Sequence, residues 1–212
     1  LGLNCRVPAI HVAGTNGKGS VCAMVERVLR QAGYRTGLYT SPFLQAYNER
    51  IRLDGAPVSD ALLEQYGNQV LDAAEKLHDQ GIQPTAFELG TALALLIFQA
   101  QQVELMVIEV GLGGRLDPTN VITPLVSVIT AIGLDHMQLL GDTVEQIAGE
   151  KAGIIKPGVP VVCHPAVKTV EAVFAHRAAE LNAPLTQLRT EQLLHPACDM
   201  YGSTAEILWD GA

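Results

Sequence analysis

Seven residues near the start of the chain, Gly14-Thr-Asn-Gly-Lys-Gly-Ser20, carry the first chemistry the sequence suggests. They follow an apolar run, Ala9-Ile-His-Val-Ala13, and precede a helical pattern. In that context the backbone amides of Gly14, Thr15, Asn16, Gly17, Lys18, Gly19 and Ser20, together with a helix N-terminus, cradle phosphate oxygens. Lys18 would reach the outer phosphates. The match to G-x-x-x-x-G-K-[ST] is incomplete, because Val12 stands where the first Gly belongs and Gly19 delays the hydroxyl to Ser20. The competing reading is a Gly-rich turn that serves only positive φ and close packing. Strand, lysine, hydroxyl and helix in the required order favour nucleotide binding. His11, inside the strand, reads as a packed core side chain.

A second group of reactive side chains follows other apolar runs. Glu109 interrupts Leu105-Met-Val-Ile-Glu-Val110, and a carboxylate there is costly to bury unless a cation or a set of hydrogen bonds compensates it. A magnesium ion would do so, since strand-end carboxylates near a phosphate loop commonly hold the metal of a nucleotide. A structural alternative pairs Glu109 with Arg115 and makes Gly111-Leu-Gly-Gly114 a bulged turn. Arg115 and Asp117 lie on that same loop, and Ile132-Gly-Leu-Asp-His136 puts Asp135 and His136 at another strand end. Lys151 falls on a helical stretch, where composition alone makes it a solvated lysine.

These residues need a scaffold, and the hydrophobic pattern supplies one. Short apolar runs at Ala9 to Ala13, Leu105 to Val110, Leu125 to Ile132 and Val159 to Cys163 read as strands buried on both faces, with Arg35 to Thr40 a weaker fifth. Helical patterns cover Ser20 to Ala32, Ser59 to Gln80, Phe87 to Gln101, Thr143 to Ile155 and Val167 to Asn182; Gly33 and Gly81 close the first two, and Thr143 with Gln146 fits a capping box. Alternation of strand and helix implies an α/β fold, a mostly parallel sheet flanked by helices, with ligands at the carboxyl ends of the strands. Tyr47 to Leu53 with Asp54-Gly55 predicts a small β excursion outside the main sheet. Residues 189–212 form an unplaced tail in which only Ala205 to Trp209 is strand-like.

Composition narrows the function classes. Of 212 residues 48% are hydrophobic and 17% charged, which excludes an intrinsically disordered chain. A net charge of −8 argues against general nucleic-acid binding and requires any nucleotide site to be local. Cys5, Cys22, Cys163 and Cys198 match neither a metal knuckle nor a disulfide framework and read as reduced cytosolic thiols. No membrane-spanning run or signal pattern is present, so a cytoplasmic location is expected. The chain starts without Met and ends straight after a strand-like run, so it reads as a piece of something longer.

Gly14 to Ser20, Thr40-Ser-Pro-Phe43, Ile108-Glu-Val-Gly-Leu-Gly-Gly-Arg-Leu-Asp117, Leu134-Asp-His136 and Glu150-Lys-Ala-Gly-Ile154 together resemble the folylpolyglutamate synthase and dihydrofolate synthase family of the Mur ligase superfamily. The resemblance spans Pro8 to about Pro165. It implies a P-loop ATPase domain over residues 1–188, with the extreme N-terminus and the family's carboxy-terminal domain missing. It implies Lys18 on the phosphates of ATP, two Mg²⁺ ions held by Ser41, Glu109, His136 and a carbamylated Lys151, and a pterin site lined by Thr85, Phe87 and Asp117, with Arg115 beside it. The implied activity is ATP-dependent addition of L-glutamate to dihydropteroate or a reduced folate through an acyl phosphate, by a monomer, with Lys18, Lys151 and His136 at the chemistry. A truncated chain is then expected to bind Mg-ATP weakly and turn over little alone. The alternatives are a Mur-type ligase of peptidoglycan synthesis and a non-catalytic nucleotide-binding module.

Overall fold

The computed structural model describes residues 1, 3, 7–165, 167–200 and 202–208. Cys5 and Trp209 lie outside the described residues. The strands are β1 (Ala9–Ala13), β2 (Thr36–Tyr39), β3 (Ile51–Leu53), β4 (Ala56–Pro57), β5 (Leu105–Glu109), β6 (Val126–Ile129), β7 (Val161–Cys163), β8 (Leu185–Gln187), β9 (Leu193–Cys198) and β10 (Ser203–Ile207). The helices are α1 (Lys18–Gln31), α2 (Asp60–His78), α3 (Ala86–Ala100), α4 (Met137–Leu140), α5 (Val144–Ala152) and α6 (Lys168–Glu180). The main sheet runs β4-β3-β2-β5-β1-β6-β7-β8. Its strands from β2 through β8 pair in parallel, and β3 and β4 add an antiparallel edge.

Alternation along the central strands explains why helices cover both faces. Leu38 and Val107 join Val12 and Cys22 in a cluster beneath α1, whereas Tyr39, Met106 and Ile108 point into the opposite cluster with Phe98 and Ile97 of α3 and Val70 of α2. A third cluster packs Ala148, Ile154 and Phe174 from the α5 and α6 region onto Ile129 and Val161. Burial on both faces is why these strands read as unbroken apolar runs. The capping box at α5 is present: Thr143 Oγ1 accepts from the Gln146 amide and Gln146 Oε1 accepts from the Thr143 amide, each at 3.3 Å.

One sequence expectation is corrected, and two elements are added where the sequence left none placed. The Tyr47 to Leu53 excursion is not outside the sheet: β3 pairs with β2 through Tyr39↔Ile51, because fully buried Ile51 drives that strand onto the core, while Tyr47–Arg50 coils into a 3-10 turn. The segment after α6 adds β8 to the sheet, a strand too short and too polar to stand out in the sequence. The unplaced tail folds as an antiparallel β9–β10 hairpin, which among the described residues pairs with no other strand; β10, Ser203–Ile207, overlaps the expected Ala205 to Trp209, whose Trp209 lies outside the described residues. Among the described residues no helix is long and apolar enough to cross a membrane.

Gly37 shows how tightly the sheet meets α3. A Cβ there would lie 2.8 Å from two ring carbons of Phe98, a fully buried side chain with no room to move. Gly37→Ala is expected to destabilise the fold by about 1–3 kcal/mol, the usual range for overpacking. Urea unfolding checks this as a lower midpoint at unchanged slope.

Candidate functional site

The phosphate loop links β1 to α1 at the point where the chain crosses from one side of the sheet to the other, because β2 and β6 lie on opposite sides of β1. Gly14 has φ 148, and a Cβ on it would lie 1.8 Å from Thr130 Oγ1, so no larger residue fits between the loop and the end of β6. The loop is then pinned to the segment after β6: the Thr15 amide donates to Ala131 O at 2.8 Å, Thr130 Oγ1 donates to Asn16 O at 2.7 Å, and Thr15 Oγ1 donates to Gly133 O at 3.1 Å. Gly17, at φ 85, starts α1 without a side-chain cap and without an acidic residue in the first turn. Lys18, Gly19 and Ser20 thus form the opening turn of a 14-residue helix whose positive end is suited to an anion.

Two lysines converge on this loop. Lys18 Nζ donates to Gly14 O at 3.0 Å and to Thr15 O at 3.2 Å, and Lys151 Nζ donates to the same Gly14 O at 3.0 Å. Lys151 is 3% exposed, which overturns the solvated-lysine reading of its helix. Burial, and then the Lys18 charge, lower its ammonium to a pKa of about 8, with Asp135 and Asp117 partly opposing the shift. Its position follows from α5 pressing on the Gly111 to Arg115 loop, where the Arg115 amide donates to Glu150 O at 2.8 Å.

Glu109 ends β5 beside Gly19, is 4% exposed, and accepts from the Ser41 amide at 3.0 Å. Burial pushes its carboxyl above the usual range, partly offset by the Ser41 amide and the Lys18 charge. The alternative pairing with Arg115 does not form: Arg115 Nη2 meets Glu150 Oε1 at 2.9 Å instead. The Ser41 amide contact sets that residue, which carries a hydroxyl, next to the Glu109 carboxylate, and oxygen donors are the type Mg²⁺ prefers. His136 stands apart, exposed, with Nε2 3.6 Å from Asp135 Oδ1. Among the described residues no three His, Cys, Asp or Glu side chains group as a metal cluster.

A cavity of about 690 Å³ opens beside the loop. Lys18, Ser41, Thr85, Phe87, Arg115, Asp117 and His136 all line it, so the sheet gathers residues from five separate stretches of sequence around one volume. Phe87 lies flat against Gly111, whose missing Cβ would be 2.3 Å from the Phe87 Cζ. Thr85 caps α3, its hydroxyl donating to Glu88 Oε2 at 2.8 Å and accepting from the Glu88 amide at 3.2 Å. Asp117 Oδ2 accepts from the Leu112 amide at 2.8 Å, and Oδ1 accepts from the Thr119 amide and hydroxyl. The sequence reading missed Arg50, which also lines the cavity, and the only signal for it was an arginine among Phe43, Tyr47 and Phe87.

The Mur ligase middle domain model matches residues 12–162, from inside β1 to inside β7. The chain belongs to the Mur ligase middle-domain family. Within that family it is 47% identical over 204 residues to the dihydrofolate synthase/folylpolyglutamate synthase of Bacillus subtilis, covering 94% of this chain and 46% of that protein. Among solved structures, an FPGS–AMPPCP–folate complex is 43% identical with TM-score 0.89 over 94% of this chain and 50% of that one. Escherichia coli FolC with DHPP and ADP is 34% identical with TM-score 0.81, over 95% and 49%. These bear out the resemblance drawn from the motifs and the parallel α/β fold. This Mur ligase middle domain spans about half the length of the curated relatives it matches.

The middle domain also carries a buried relay behind Asp117. Thr119 spends its single hydroxyl proton on Asp117, so its oxygen accepts from His11 Nε2, 2.8 Å away. His11 is fully buried, its Nδ1 has no hydrogen-bond partner, and burial followed by the Lys156 charge lowers its pKa to about 3. His11 is thus neutral and structural, as a core residue should be. Between pH 6.5 and about 3 the unfolded chain takes a proton at His11 that the folded chain refuses, so this residue makes stability rise with pH across that window. Replacing it by glutamine, which keeps a donor for Thr119, is expected to flatten the acid limb of the stability curve by up to one proton, about 1.4 kcal/mol per pH unit. Urea unfolding at pH 4 to 7 measures that slope.

Proposed function

We propose that this chain is the ATP- and acid-binding half of a ligase that adds L-glutamate to dihydropteroate or to a reduced folate. One observation carries the reading: Lys18 of the phosphate loop lines the same cavity as Thr85, Phe87 and Asp117. Such a cavity lets a nucleotide's γ-phosphate meet the carboxylate of a flat aromatic acid. Relatives named for both activities, and neighbours holding AMPPCP with folate or ADP with DHPP, support the choice of acid. They also favour a folate-type acid over a muramoyl peptide.

In the first step a carboxylate oxygen of the acid attacks the γ-phosphorus, the bond to the β–γ bridging oxygen breaks, and ADP leaves. In the second, the glutamate amine attacks the acyl carbon, inorganic phosphate leaves, and the amine loses a proton to solvent. Activation is required because a carboxylate's own leaving group would be oxide. Lys18, the loop amides and the α1 N-terminus offset charge that gathers on the transferring phosphoryl group.

Glu109 and Ser41 fit a Mg²⁺ ion, since a buried carboxylate with a single protein hydrogen bond retains oxygen lone pairs for a hard cation. Bound there with the nucleotide, the ion would neutralise phosphate charge. A second ion at His136 and Lys151 needs Lys151 in another form, because an ammonium repels it. The lowered pKa supplies a free amine able to attack CO₂, giving a carbamate and releasing one proton. We assign the protein to the cytoplasm as a monomer, consistent with the free thiols of Cys22, Cys163 and Cys198.

The test is glutamate-dependent ADP release by the ligase containing this chain, offered dihydropteroate, tetrahydrofolate or a muramoyl peptide. Release with a pterin acid is expected, and Lys18→Ala is expected to cut it by about 10²–10³-fold. Release with the muramoyl acceptor alone would move the protein to the peptidoglycan branch. Carbon-13 bicarbonate is expected to give a carbamate NMR signal that Lys151→Met abolishes; its absence from the wild type would remove the second metal site.

A further inference from the structure

We infer that Arg50 is a substrate-binding residue whose guanidinium takes the carboxylate of the acid to be activated; this rests on the ligase reading above. Arg50 closes the 3-10 turn Tyr47–Arg50 just before β3 and lines the cavity. Its Cζ lies 5.4 Å from the ring centre of Phe43, 5.7 Å from that of Tyr47 and 5.9 Å from that of Phe87. Rings attract a guanidinium through their quadrupoles and fix its position, yet leave its charge in place.

Among the described residues no carboxylate pairs with that charge. Among the described residues Arg50 takes part in no ion pair, and its Nε is buried without a hydrogen-bond partner. Its sequence neighbour Glu49 is turned to the amides of Leu44, Gln45 and Ala46. In the cavity wall, Asp117 is taken by Leu112 and Thr119, and Glu150 by Arg115. Tyr39, whose hydroxyl faces Arg50, is neutral, burial pushing its pKa up. A cation left unmatched in the cavity of a protein of net charge −8 is matched when a ligand brings an anion.

Three anionic substrates enter such a ligase, the nucleotide, the aromatic acid and glutamate, and of these the acid is the one with a flat aryl group for the rings around Arg50. The phosphates already meet Lys18, the loop amides and the α1 N-terminus. Arg50 belongs instead to the aromatic wall, where a flat aryl group would lie on Phe87 and its carboxylate would meet the planar fork of the guanidinium in two parallel hydrogen bonds. The cation would also ease the approach of a carboxylate to a triphosphate, since two anions repel at contact.

The experiment measures dissociation constants of dihydropteroate, of its carboxamide analogue and of ADP, on the chain and on its Arg50→Gln and Arg50→Lys variants. The wild type is expected to prefer the acid over the amide by about tenfold or more, the increment of a charge-assisted hydrogen bond. Arg50→Gln is expected to erase that preference while leaving amide and ADP affinities unchanged, and Arg50→Lys to retain part of it. Unchanged amide affinity shows that the cavity still folds. A preference that survives Arg50→Gln overturns the proposal, as does a variant that weakens ADP but not the acid. Equal binding of acid and amide to the wild type sinks the Arg50 role alone; binding of ADP with neither pterin compound sinks the acid-binding reading and this proposal together.

Discussion

The carbonyl oxygen of Gly14 accepts from Lys18 Nζ and from Lys151 Nζ, and the rest of the site depends on holding these two like charges at one point. Neither lysine would choose the other's company in water. The backbone dipole of the loop gives both a common acceptor, and Asp117 and Asp135 soften the repulsion. The outcome is asymmetric: Lys18 stays at the open cavity, whereas Lys151, on α5, is buried and its proton is loosened. One basic side chain stays cationic at the open cavity and the other leaves the cationic state more readily.

That arrangement demands close backbone contacts, which explains where glycine is placed. Gly14 admits the Thr130 side chain against the loop, and Gly111 admits the ring of Phe87. Side chains at either position would push apart the two walls of the cavity. The buried His11–Thr119–Asp117 chain of hydrogen bonds works from behind, tying the strand that feeds the phosphate loop to the opposite wall of the cavity.

The cavity is cationic locally in a chain that is acidic overall. Electrostatic work is therefore confined to a few groups whose surroundings are specific: Lys18 at a helix N-terminus, Arg115 paired with Glu150, Arg50 among rings. Each differs in how much of its charge remains for a ligand, and only geometry tells them apart.

Much of the fold was legible in residue order. Unalternating, largely apolar runs starting at Ala9, Leu105 and Val159 mark strands because burial on both faces removes alternation, and Thr143 with Gln146 marks a helix start because the cap is a local hydrogen-bond pattern. The phosphate loop was legible for the same reason, since its glycines, lysine and helix are contiguous. Short or half-polar elements were not: β8, the β9–β10 hairpin and the joining of β3 to the sheet edge depend on partners distant in sequence. By itself the sequence determined a parallel α/β chain with a phosphate loop and a set of strand-end carboxylates, because those are properties of neighbours along the backbone. Only tertiary structure decided that Arg115 pairs with Glu150 rather than Glu109, that Lys151 is buried against Gly14, and that Arg50 enters the cavity uncompensated. Charge pairing and desolvation act through space at a few ångströms, and residue order does not encode that distance.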